Sequence, residues 1–231
     1  MKIILLLFVL LPVLAYAKGQ RKIDTTPNAG EGEWTFQVEQ NYYHNPNQTS
    51  PAGNALPVDT YYINASLDYS FENGSDIQIA TYNCPVAGGG AQNYQCDSYI
   101  NLSQTLDITD DWQALIGSQN GTVFSGPMKW HNADYALAVY QPDDTLNLHA
   151  GPYFVDKDLA TTTNTVGYTG GLLIKYLESW QLQADYFSGH NNISGANINV
   201  FWKQYYVGVG VPEHNSGNEF YGIVGFKAIF K

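Results

Sequence analysis

Histidines and carboxylates are the residues of this sequence best suited to proton chemistry. His44, His131, His190 and His214 fall in or beside stretches that read as long connections, with Asp59, Asp134 and Asp156 at comparable places. An imidazole beside a carboxylate can serve as general base for a water. No spacing among them matches a hydrolytic signature, however. The chain has no G-x-S-x-G, no H-E-x-x-H and no phosphate-binding loop. Ordinary solvated loop residues account for these histidines, so the sequence predicts no catalytic residue and no cofactor.

A second polar set is larger and does a different kind of chemistry. Glu39, Asn64, Ser66, Asp68, Asn101, Ser103, His149, Gln181, Gln183, Asp185 and Lys227 each stand at alternate positions within segments whose other phase is apolar. Amides, hydroxyls and a few charges in such a row offer hydrogen bonds to water and to polar solutes. They do not make or break covalent bonds. These are the candidate lining residues of an aqueous passage, and the elements that place them are strands.

The clearest strand is YYINASLDYSF (61–71). Tyr61, Ile63, Ala65, Leu67, Tyr69 and Phe71 take one face, while Tyr62, Asn64, Ser66, Asp68 and Ser70 take the other. The same period of two runs through 34–42, 166–176, 180–186 and 198–202. It is less clean at 76–83, 97–107, 112–119, 133–140, 145–155, 205–212 and 218–230. The sum is about twelve strands, within a range of 10–14, and no helical period stands out. Connections alternate in length. Those near 44–59, 84–96, 120–132, 156–164, 189–196 and 213–218 are long, and each is separated from the next by a short turn such as ENGS (72–75) or QPDD (141–144). Acids gather in the short turns (Asp110, Asp111, Asp143, Asp144), where they either ring one rim or serve the turn itself.

Residues 1–17 read as a secretory signal: Lys2, the apolar run 3–14, and the cleavage site Ala15-Tyr16-Ala17. Segment 18–32 would follow as a periplasmic lead-in, and 33–231 as the strand domain. In an exported chain the close pair Cys84 and Cys96 predicts a disulfide worth roughly 3 kcal/mol. A metal site needs about four ligands, and neither a histidine nor another cysteine lies nearby. Aromatics are 14% and charged residues only 13% of the chain, against the usual quarter charged. The net charge of −11 excludes nucleic acid as a partner.

Alternation alone does not say which face meets water, because a soluble barrel alternates too. The apolar phase carries almost no charge and the polar phase is mostly neutral. Aromatics also crowd the strand ends (Trp34, Trp112, Tyr140, Trp180, Trp202, Tyr205). These features favour an apolar face toward lipid. The terminal strand EFYGIVGFKAIFK (219–231), alternating through Phe220, Val224, Phe226, Ala228 and Phe230, resembles the C-terminal assembly signal of bacterial outer-membrane β-barrels. Here Lys231 follows the aromatic that usually ends that signal. The resemblance implies a transmembrane antiparallel barrel in the outer membrane of a Gram-negative bacterium, with short periplasmic turns and longer extracellular loops. Its implied partners are outer-membrane lipid and the barrel assembly machinery. Small twelve-stranded porins match in size, which implies a monomeric channel for passive diffusion of small polar solutes. The alternatives are a rim-active hydrolase and a structural or adhesive surface protein binding through its loops.

Overall fold

The computed structural model describes residues 32–44, 59–88, 96–123, 129–157, 163–190, 194–212 and 220–231. The signal segment, residues 18–31, His214 and the middle of each long connection lie outside them. Twelve strands make the wall: β1 (Glu33–His44), β2 (Asp59–Ser70), β3 (Ser75–Gly88), β4 (Asp97–Asp107), β5 (Trp112–Val123), β6 (Lys129–Tyr140), β7 (Leu146–Val155), β8 (Val166–Leu177), β9 (Trp180–Phe187), β10 (Gly195–Trp202), β11 (Tyr205–Pro212) and β12 (Phe220–Phe230). Each pairs antiparallel with its neighbours in sequence, and β1 pairs with β12 from Trp34↔Phe230 to His44↔Phe220. The sheet is therefore a closed up-and-down barrel with no free edge.

The wall is inside out relative to a water-soluble protein. Phe36, Leu67, Ile79 and Ile100 are neighbours across four strands, and all four are exposed on the outer surface. Thr35, Asp68, Asp76, Gln183, Asn199 and Lys227 are buried on the inner one. A soluble barrel would bury the first group and expose the second, so the apolar phase faces outward as the alternation predicts. Ring pairs band the turn end of the wall: Trp34–Tyr69 at 4.7 Å, Trp112–Tyr140 at 4.9 Å and Trp202–Tyr205 at 6.4 Å between centroids.

The short turns are built by local hydrogen bonds. Asp143 Oδ1 accepts from the amides of Thr145 (2.7 Å) and Leu146 (3.2 Å) and from the Thr145 hydroxyl (2.6 Å). That carboxylate serves its turn, which is the plainer of the two readings of the turn acids. Gly74, at φ +78°, lets its carbonyl accept the Thr105 amide at 2.8 Å, with no room for a Cβ against that backbone.

Two stretches are longer than the alternation suggests. β3 continues through Cys84 to Gly88, so the Cys84–Cys96 disulfide joins β3 to the residue just before β4. β5 and β6 extend into the expected connection 120–132 from either side, with Asn120, Gly121 and Thr122 opposite Asn132, His131 and Trp130. Asn and Gly are poor strand formers in isolation, but ladder hydrogen bonds and cross-strand packing override that preference. His131 is consequently a strand residue and not a loop residue. Asp134 breaks the apolar phase. With Ser118, Asn120 and Asn132 it faces outward, and Asn132 Nδ2 lies 3.1 Å from each of Ser118 Oγ, Asn120 Oδ1 and Asp134 Oδ1.

Candidate functional site

The inward phase of the strands converges on Glu39, halfway along β1. Its Oε1 accepts from Asn64 Nδ2 at 3.0 Å, and its Oε2 accepts from the Tyr206 hydroxyl at 2.9 Å. Gln37 Nε2 donates to the same hydroxyl at 2.7 Å. Asn64 stands directly opposite Glu39 on β2. Tyr206 reaches it from β11, across β12, which the closure of the barrel alone makes possible.

Two cavities meet along Gln37 and Glu39. The first, ≈ 290 Å³, is lined by Asn64, Ser66, Asp68, Asp76, Gln78, Tyr82, Asn101, Ser103 and Tyr135, among others. The second, ≈ 280 Å³, is lined by Asn41, Tyr43, Gln183, Asp185, Asn197, Asn199, Phe201, Tyr206, Tyr221 and Lys227, among others. Hydrogen bonds order these walls. Ser103 donates to Asp76 at 3.1 Å, Gln183 to Asp185 at 2.7 Å, and Asn101 to Gln78. Four carboxylates (Glu39, Asp68, Asp76, Asp185) thus face one ammonium (Lys227) across the two cavities.

The alternation placed most of these groups on one phase, and the structure shows which of them meet. Glu39, Asn64, Ser66, Asp68, Asn101 and Ser103 surround the first cavity; Gln183, Asp185 and Lys227 join Glu39 around the second. Gln181 shares the register of Gln183, two residues nearer the short turn, and lines neither cavity. His149 on β7 and Asp185 on β9 sit in one row with Gly171 of β8 between them. A Cβ at Gly171 would fall 2.3 Å from Asp185 Oδ1 and 2.6 Å from His149 Cε1. Glycine there opens the gap through which His149 Nε2 approaches Asp185 Oδ1 at 3.3 Å.

Sequence reasoning missed the tyrosines of the interior. Tyr99, Tyr135, Tyr153, Tyr206 and Tyr221 each stand directly opposite a glycine: Gly121, Gly117, Gly167, Gly225 and Gly210. A Cβ on any of these glycines would come within 2.0–2.5 Å of the opposing side chain's ring atoms. Each ring therefore lies over the bare backbone of the next strand instead of reaching across the barrel. Tyr43 adds a stacked contact to Tyr221 (5.1 Å) and an edge contact to Tyr62 (5.4 Å). The signal was available: Tyr43 shares the phase of Gln37 and Glu39, and Tyr99 that of Asn101 and Ser103. An aromatic on a polar phase reads as girdle or noise unless the facing strand is known.

The histidines considered for catalysis are placed differently from one another. His44 stacks on Phe220 at 5.4 Å, and His190 lies exposed in the bend after β9 with φ +51°. His131 is 4% exposed and faces inward, with Nδ1 3.3 Å from Asp156 Oδ1. The other oxygen of Asp156 accepts the Asn132 amide at 2.9 Å, so the pair ties β6 to the residue that follows β7. Among the described residues no group of three or more His, Cys, Asp or Glu side chains could hold a metal ion.

No protein-family model matches the sequence, and no curated protein matches it either. The likeness lies in the fold. The NanC porin superposes with a TM-score of 0.62 at 10% identity, covering 85% of this chain and 100% of that one. The KdgM porin in complex with disordered oligogalacturonate gives 0.58 at 13% identity, covering 86% and 99%. A second structure of the KdgM porin gives 0.56 at 13% identity. The chain has the twelve-stranded closed-barrel architecture of these outer-membrane porins.

Proposed function

We propose that this protein is an outer-membrane porin through which small polar solutes diffuse passively. The observation that carries the reading is the inverted wall. An apolar exterior surrounds an interior in which amides, hydroxyls and carboxylates line two cavities meeting at Glu39, beside small buried apolar clusters such as Leu115, Leu137 and Val139. Lipid supplies the contact that the exterior needs, and the interior offers water a replacement for bulk hydrogen bonds. The tyrosine–glycine pairs are consistent with such a passage, because they lay the rings along the wall rather than across it. The porin likeness of the fold supports it independently.

Delivery follows from the same reading. The chain is exported, cleaved behind Ala17, and folded by the assembly machinery through its terminal strand into a monomer in the outer membrane. N-terminal sequencing of protein extracted from membranes reads Lys18 first; a product that still begins at Met1 overturns the export step. The hydrolase alternative has no comparable support, since the His131–Asp156 pair is spent as a tie between strands. Reconstitution in a planar bilayer tests the function. Correctly folded protein, recognised by heat-shifted gel mobility, conducts small ions in discrete steps. A folded barrel that never conducts defeats the porin reading.

A further inference from the structure

We propose that His149 sets the ion selectivity of the passage: its protonation cancels the charge of Asp185 and so lowers the preference for cations. The inference rests on the reading of the interior as a conducting passage.

Of the carboxylates around the two cavities, Asp185 has a base for a neighbour. Its Oδ1 lies 3.3 Å from His149 Nε2, while its Oδ2 accepts from Gln183 Nε2 at 2.7 Å. Glu39 differs, since its partners Asn64 and Tyr206 are neutral donors that leave its charge in place. An amide orders a carboxylate and keeps it anionic. An imidazole does the same only while neutral; once protonated, it makes with the carboxylate an ion pair of no net charge. Asp185 then drops out of the field that draws cations into the interior.

The wall brings these two groups together and keeps other charges away from them. β7 and β9 are not neighbours, and the side chains meet over Gly171 of β8, where a Cβ would collide with both. Val139 stands opposite His149 on β6 and carries no charge. Tyr135 on β6, Tyr153 on β7 and Lys175 on β8 share the inward phase but stand four residues along their strands from this row, with His131 further still. Among the described residues Asp185 alone forms an ion pair with the ring. His149 Nδ1 is buried and has no hydrogen-bond partner among them, so no second bond fixes the ring in one protonation state. Protons reach the pair from the cavity that Asp185 borders.

Reversal potentials of the reconstituted barrel in a fixed salt gradient test this. Measurements from about pH 8 to about pH 5.5 span the range in which imidazoles ordinarily change charge. The cation-to-anion permeability ratio falls roughly twofold or more on acidification. His149→Gln flattens the response, while His131→Gln, which alters a histidine outside both cavities, keeps it. Asp185→Asn displaces the midpoint of the response and Asp68→Asn does not, which decides the question should His149→Gln fail to fold by heat-shifted gel mobility. A pair with a purely structural role would lower the unfolding midpoint of these variants and leave the pH profile unmoved, and that result overturns the inference. So does a ratio independent of pH, or a response that survives His149→Gln. In each of those cases the barrel conducts and the porin reading stands; a folded barrel that never conducts defeats both.

Discussion

Among single residues, the interior glycines decide how closely the tyrosine rings lie against the wall. Gly117 on β5 faces Tyr135 on β6, and a Cβ there would lie 2.1 Å from the ring. Gly117→Val adds three carbons where none fits, so the Tyr135 side chain must swing off the wall and into the first cavity, which it already borders. Forcing a packed side chain from its place costs typically about 1–3 kcal/mol. The expected outcome is a folded barrel with a lower unfolding midpoint and a smaller single-channel conductance. Unchanged conductance in the folded variant would mean that the ring is not what bounds the passage. The missing Cβ at Gly171 acts on a neighbouring row in the same sense, letting His149 and Asp185 meet across a whole strand.

Within a single strand, alternate residues live in different solvents. On β2, Leu67 sits outward between Phe36 and Ile79, while Ser66 lines the first cavity. Leu67→Arg should cost about 2–4 kcal/mol if its side chain meets the middle of a bilayer, and Ser66→Arg should be tolerated by a wet interior. Urea titration of the two variants in lipid vesicles gives the order; equal tolerance would remove the distinction between the faces. Near the far end of β3, the Cys84–Cys96 bond holds the strand to the residue just before β4. Thiol labelling of intact cells should fail without reductant and succeed with it. Replacing both cysteines by serine should lower stability by roughly 3 kcal/mol without changing conductance. The hairpin of β5 and β6 departs from the rule of an uncharged outer face at Asp134, where the outward polar groups hydrogen-bond to one another.

For the molecule as a whole, closure turns scattered charges into one field. Asp68 and Asp185 are far apart in sequence, yet both line cavities that share Glu39. With Lys227 and, beside Asp185, His149 set against the four carboxylates, the passage should prefer cations, and the preference should fade as the screening length falls below about 8 Å near physiological salt. Asp68→Asn together with Asp185→Asn should shift the reversal potential in a salt gradient toward zero while leaving the heat-shifted gel mobility unchanged. A potential that stays put would place selectivity elsewhere, for instance at the long connections of the outer rim.

The amino-acid order by itself determined the strand count, the up-and-down rhythm and the identity of the outer face. The first two follow from a period of two read within each segment, as in 61–71, where neighbouring side chains are obliged to point opposite ways; the outer face follows from that period together with the near-absence of charge on the apolar phase and the aromatics at the strand ends. It also placed the two cysteines near enough in sequence for their bond. Tertiary structure alone decided what faces what. Tyr206 reaches Glu39 from β11 because β12 pairs with β1, and His149 reaches Asp185 because β8 offers a glycine at the shared row. The same holds where expectation failed: Asn120, Gly121 and His131 become strand residues through pairing partners that no local window contains. Register between strands and closure of the sheet are set by contacts between residues distant in sequence. The positions lining an interior can thus be read from the chain, whereas the chamber they enclose exists only once the barrel has closed.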